Sequence, residues 1–149
     1  MGKAAKYNTF RAGRAPGREE AGGGPVRTMG ENAYTVGISE HGSYVLIALT
    51  GAFAGTGFGE FRETLGRLKE APFDGSGHVV IDLSGATLLT SSCLEALYAA
   101  RKQGEPAGRE FVVIAPGEDM KELFQLTGFD RFFPMYDTVS AFLRERGLG

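Results

Sequence analysis

The sequence predicts an α/β fold: a mixed, mostly parallel β-sheet with helices mainly on one side, in the order ββαβαβαβα. Three observations carry this. Residues 45–49, 78–83 and 111–115 are nearly continuous apolar runs rich in β-branched side chains, the pattern of strands buried on both faces. Between the strands lie segments whose apolar residues recur at spacings of three and four, the period of a helix with one buried face. The first two strands are joined by only His41, Gly42 and Ser43, the length of a hairpin turn. Strands alternating with helices imply parallel pairs with right-handed crossovers, and the hairpin adds one antiparallel pair.

The chain divides into a tail, residues 1–30, and one domain, residues 31–149. The tail has no sustained hydrophobic period and is dominated by Gly, Ala, Pro and charge, with Gly22, Gly23, Gly24 and Pro25 in a row. It offers too little apolar surface to offset chain entropy, so it is expected to be disordered. Six basic residues face two acids there, Glu19 and Glu20, while the whole chain carries −2. Spread over the tail, these charges do not form a nucleic-acid patch, and the net charge gives no argument for an anionic partner. The chain has a single cysteine, so an internal disulfide is excluded, and a reducing compartment fits. No apolar run approaches the ~18 residues of a membrane span, and the basic N-terminal stretch, with no apolar core after it, is not expected to be a secretory signal. The cytoplasm is the expected location.

Within the domain, residues 34–40 form the first strand, with Val36 and Ile38 alternating, and residues 44–49 a more central one. The segment Gly51, Ala52, Phe53, Ala54, Gly55, Thr56, Gly57 leads into a helix carrying Phe58, Phe61, Leu65 and Leu68 at helical spacing. Its aromatic residues are expected in the core, because a helix covering a sheet needs such a stripe. Residues 71–77 form a loop. After the central segment, Pro116 and Gly117 end the third apolar strand, and Met120, Leu123, Phe124 and Leu126 mark a helix closed by Gly128. Residues 132–136 are expected as a short edge strand, because Pro134 cannot donate to a ladder. Asp137 is expected to cap a last helix bearing Val139, Phe142 and Leu143.

The domain is organised around residues 78–104. A buried strand ending at Asp82 and Leu83 is followed by an expected turn at Ser84 and Gly85, whose N–H groups the Asp82 carboxylate can accept. A second apolar stretch, residues 86–89, leads to Thr90, Ser91 and Ser92, where the pattern turns helical through Leu94, Leu97, Tyr98 and Arg101. Gly104 is expected to end that helix. Ser92 and Glu95 fit a capping box, and a cap alone accounts for such a serine, contributing about 1 kcal/mol. A phosphorylatable serine is the sharper reading. A phosphate there would meet the helix dipole favourably and Glu95 unfavourably.

The stretch IDLSGATLLTSSCLEAL resembles the central motif of STAS domains, the family of bacterial anti-sigma factor antagonists and of the cytoplasmic tails of sulfate transporters. Asp82, Leu83, Ser84, Gly85, Ala86, Leu88, Leu89, Ser91, Ser92 and Leu94 fall on its pattern. Farther on, FVVIAPGEDMKELFQLTGFDRFF resembles the family's closing strand, helix and Leu-Thr-Gly-Phe, so the likeness extends over residues 34–146. It implies a STAS-like sheet. It also implies that Ser92, on the position phosphorylated in the antagonists, is the phosphoacceptor. The chain departs from the pattern at Thr90 and at Cys93, where the family has Asp and Gly. It departs again at Ala52 and Ala54, where the family has Glu and Asp.

Sites of other chemistry are not indicated. His41 and His78 are isolated, and no metal or cofactor constellation is present. The GTGFG of residues 55–59 has no Lys of a phosphate loop, and position 60, where GxGxxG needs its third Gly, is Glu60. Cys93, in the first turn of a helix, is a candidate reactive thiol, but a small residue filling the family's Gly position is the simpler reading. The chain is therefore expected not to be an enzyme.

Three functions compete. The first is an anti-sigma factor antagonist that binds an anti-sigma factor, a serine-kinase-type regulator, and is switched by phosphorylation of Ser92. Its partner surface would comprise Phe53, Ala54, Gly55 and Thr56 with Thr90, Ser91, Ser92 and Cys93, because strand ends that precede helices gather at one sheet edge. The second is a STAS subunit that binds a transporter ATPase or signalling scaffold without a phosphorylation cycle, which the missing acids favour. The third, a nucleotide or small-molecule binder, rests only on GTGFG and the helix N-terminus.

Overall fold

The structure, a computed structural model, describes residues 8–13, 33–75, 77–115 and 117–148. One six-stranded sheet runs in sequence order: β1 (Asn8–Gly13), β2 (Tyr34–Glu40), β3 (Tyr44–Phe53), β4 (His78–Leu89), β5 (Glu110–Ile114) and β6 (Met135–Tyr136). The β1–β2 and β2–β3 pairs are antiparallel, and the other three are parallel. Four helices, α1 (Thr56–Gly66), α2 (Ser91–Gly104), α3 (Glu118–Thr127) and α4 (Val139–Arg146), fill the crossovers and close the chain. From β2 onward this is the expected ββαβαβαβα order.

Alternation along the strands separates two cores, because successive side chains point to opposite faces of a sheet. Ile47, Val79, Ile81, Leu83 and Val113 face one side and pack with Phe61 and Leu65 of α1, Leu94 and Leu97 of α2, and Phe124 of α3. Val80, Val112 and Ile114 face the other side and meet Phe142 of α4. Three helices therefore share one face and the last takes the opposite one. Arg109 anchors the loop after α1, donating to the backbone carbonyls of Leu68 at 2.9 Å and Phe73 at 2.6 Å.

Several local expectations are corrected. Residues 8–13 belong to the stretch expected to be disordered, yet they form β1 on the outer edge of β2. Backbone pairing needs no apolar side chains, and the open edge of β2 supplies unpaired N–H and C=O groups. The rest of that stretch lies outside the described residues. No turn occurs at Ser84 and Gly85: β4 continues to Leu89, with register shifts against β3 absorbing the irregularity. Helix α2 does end at Gly104 as expected, but Gly104 keeps right-handed backbone and leads into a 3-10 turn, and the left-handed closing residue is Gly108. Thr138, not Asp137, caps α4, its hydroxyl oxygen accepting from the Ala141 N–H at 2.9 Å, while Asp137 pairs with Lys121 at 2.8 Å. The last strand is only two residues long. Pro134 precedes it and accepts the Val113 N–H at 2.9 Å.

Candidate functional site

The site begins with the parallel pairing of β3 and β4, which carries both strands to a common end at Phe53 and Leu89. Two glycines allow close backbone packing around that end. Gly51 has φ +94°, and a Cβ on it would lie 2.2 Å from the Ala33 carbonyl oxygen. Gly57, in the first turn of α1, would place a Cβ 2.7 Å from the Ala52 oxygen and 3.3 Å from the Tyr34 ring. The glycines of GTGFG thus serve close packing at Gly57 and the chain's turn at Gly55, where φ is +60°.

On the β4 side, Thr90 has extended backbone and is the N-cap of α2. Its carbonyl accepts from the N–H groups of Cys93 at 3.0 Å and Leu94 at 3.3 Å, and its hydroxyl oxygen accepts from Cys93 at 3.4 Å. The Ser92–Glu95 capping box does not form, because β4 runs to Leu89 and puts the half-helical residue at Thr90. Ser92 is left one residue inside the helix, with its side chain exposed. Among the described residues neither Ser91 nor Ser92 has a side-chain hydrogen-bond partner. The helix dipole still favours negative charge here.

Cys93 joins the two loops. Its thiol, 1% exposed, donates to the Phe53 carbonyl oxygen at 3.2 Å, and the Thr90 hydroxyl lies 3.5 Å from its sulfur. Of the eight residues expected at a partner surface, Gly55, Thr56, Ser91 and Ser92 are exposed, and Ala54 and Thr90 are partly so. Phe53 and Cys93 are corrected: both are core residues beneath the other six, joined by the thiol's hydrogen bond. Ala52 is also buried, so a carboxylate at that position would be shut away from water in this chain.

Asp82 accepts from the Ser84 N–H at 2.9 Å and from the Ser84 hydroxyl, the expected backbone-fixing role, though along a continuous strand. Two features were missed from the sequence. Leu88 is 47% exposed beside the α2 N-terminus, and strand alternation next to buried Leu89 was the available signal. An open groove of about 420 Å³ runs between β4 and the start of α3, lined by Leu83, Thr87, Glu118, Asp119 and Met120. It arises because β5 pairs beside β4, which no local motif records. Among the described residues no group of three or more His, Cys, Asp or Glu could hold a metal ion, and no helix is long and apolar enough to cross a membrane.

A parallel strand pair that ends at a hydroxyl-bearing helix start beside a β–α loop defines an α/β domain. The STAS domain family model matches residues 36–142, so the chain belongs to the STAS domain family. Solved structures share the fold. An anti-sigma factor antagonist from Mycobacterium paratuberculosis is 24% identical, with a TM-score of 0.60, covering 75% of this chain and 92% of its own. A STAS domain protein from Planctomyces limnophilus is 19% identical, with a TM-score of 0.61 and coverage of 74% and 95%. The Bacillus cell fate determinant SpoIIAA, in its phosphorylated form, is 19% identical, with a TM-score of 0.50 and coverage of 68% and 90%. A comparison with curated proteins gives no match.

Proposed function

We propose that this chain is an anti-sigma factor antagonist, a protein-binding switch of the cytoplasm rather than an enzyme, whose partner is an anti-sigma factor of the serine-kinase type. The observation that carries the reading is an exposed, unengaged Ser92 in the first turn of α2, beside the exposed Gly55 and Thr56. In the switching step the Ser92 oxygen takes the γ-phosphoryl group of ATP, its proton leaves, and ADP is released. The phosphoserine brings up to two negative charges to the contact surface. The α2 dipole tolerates them, but a partner packed there would have to bury them.

A second reading has its own support. Ala52, Ala54 and Thr90 stand where the resembled pattern has acids, which suits a STAS subunit bound to a transporter ATPase or scaffold without a phosphorylation cycle. Incubation with the serine-kinase regulator of the same genome and ATP, then mass spectrometry of residues 86–101, separates the two. The expected result is one phosphate on Ser92, with binding retained in Ser92→Ala and lost in Ser92→Asp. No phosphate, with equal binding by both variants, would transfer the conclusion to the constitutive subunit.

A further inference from the structure

We propose that α4 is a latch, seated on a small core of its own and held shut by Arg146, which opens without the rest of the fold opening with it. The proposal is independent of Ser92, which lies at the opposite end of the strands.

The latch has a small apolar face, Phe142 with the partly buried Val139 and Leu143. Phe142 is the one fully buried side chain of α4, and it meets only Val80, Val112 and Ile114 among buried residues on that face. An aromatic box completes its seat: the rings of His78 at 5.3 Å, Tyr136 at 5.4 Å and Tyr44 at 6.4 Å all stand edge-on to it. The other three helices share a larger, continuous core on the opposite face. Local opening is cheapest where few apolar contacts are lost, so α4 is the helix best placed to detach alone.

Polar contacts close the latch at its far end. Arg146 forks onto Glu110, with NH1 at 2.5 Å from one carboxylate oxygen and NH2 at 2.9 Å from the other. Its Nε donates to the Tyr136 hydroxyl at 3.1 Å, and its guanidinium stacks 5.6 Å from the Phe142 ring. A planar fork satisfied on both prongs fixes orientation as well as charge. The charged and titratable groups around it are His78, 3.2 Å from Glu110 and 3.3 Å from Arg146, together with Glu145 and Tyr136. The Arg146 fork therefore joins the last turn of α4 to the first residues of β4 and β5. Asp137, paired with Lys121, sits just before the helix and marks where the opened segment would hinge. Opening would uncover the apolar strip Val80, Val112 and Ile114.

Amide hydrogen exchange on the full chain tests this. In the native protein the hydrogen-bonded amides of residues 142–146 should exchange at least about 100-fold faster than those of residues 79–83 and 94–101, since sub-global opening precedes global unfolding. Arg146→Gln and Glu110→Gln should each speed exchange in α4 by roughly 10-fold, and the other two segments by no more than that, because global unfolding includes the opening of α4. Exchange of α4 at the rate of β4 and α2 in the native protein would overturn the latch. So would variants that leave exchange in α4 unchanged, because the Arg146 fork would then not hold the helix.

Discussion

Thr90 shows how one residue's place in the backbone decides what its neighbours can do. Because it holds the cap of α2, Ser92 is free of structural duty, and changes at Ser92 can report on binding alone. Thr90→Ala is expected to cost about 0.5–1 kcal/mol of stability, whereas Ser92→Ala should stay within about 0.5 kcal/mol of the native chain. Urea denaturation of the two variants measures the difference, and the reverse order would return the cap to Ser92. The serine itself was legible in the sequence, as the hydroxyl run at the start of a helical pattern. Its relation to the cap was not. The Ser92–Glu95 spacing satisfies a capping box on paper, and only the length of β4 shows that the helix starts too early for it. Cys93 was half legible: a small residue was expected, and the buried thiol that ties Phe53 to α2 follows from a contact forty residues away in sequence.

Among the elements, those with a strong apolar period could be read directly, and those built by the backbone could not. The cores of β3, β4 and β5 announce themselves through continuous β-branched runs. By contrast, β1 has no such run and exists by adding to an open edge, so composition pointed the wrong way. The placement of α4 on the second face is written only in the strand alternation, in Val80 and Val112 between Val79 and Val113. The GTGFG segment offers a test of element packing. Gly57 lies where a Cβ would run into the Ala52 carbonyl, while Gly59, in the same helix, has open space around it. Gly57→Ala should therefore destabilise by about 1–3 kcal/mol, as overpacking does. Gly59→Ala should stabilise by about 0.5–1 kcal/mol, by helix propensity. Thermal melts of both variants check the opposite signs. Equal destabilisation would mean that both glycines serve something other than packing.

For the molecule as a whole, acid is the expected point of weakness. The Arg146 hydrogen bonds, supported by the charges of Arg146 and His78 and opposed by partial burial, hold the Glu110 carboxyl below its ordinary range. A depressed folded-state value means that the ionised form stabilises the fold. That stabilisation is complete above the unfolded carboxylate value of about 4.3 and fades as pH falls through the lower folded value. With Glu110 partly exposed, the effect should be about 1 kcal/mol or less. Denaturation of the native chain and Glu110→Gln between pH 7 and pH 3 should show a stability gap at neutral pH that closes in acid; a gap that does not vary with pH would disprove the linkage. The order of the sheet has a different kind of consequence. Each strand pairs with the one made just before it, from β1 at one edge to β6 at the other. A chain leaving the ribosome N-terminus first therefore never has to hold a place open for a strand not yet synthesised. Every new strand finds its neighbour already translated, and the sheet can grow in one direction at the pace of translation.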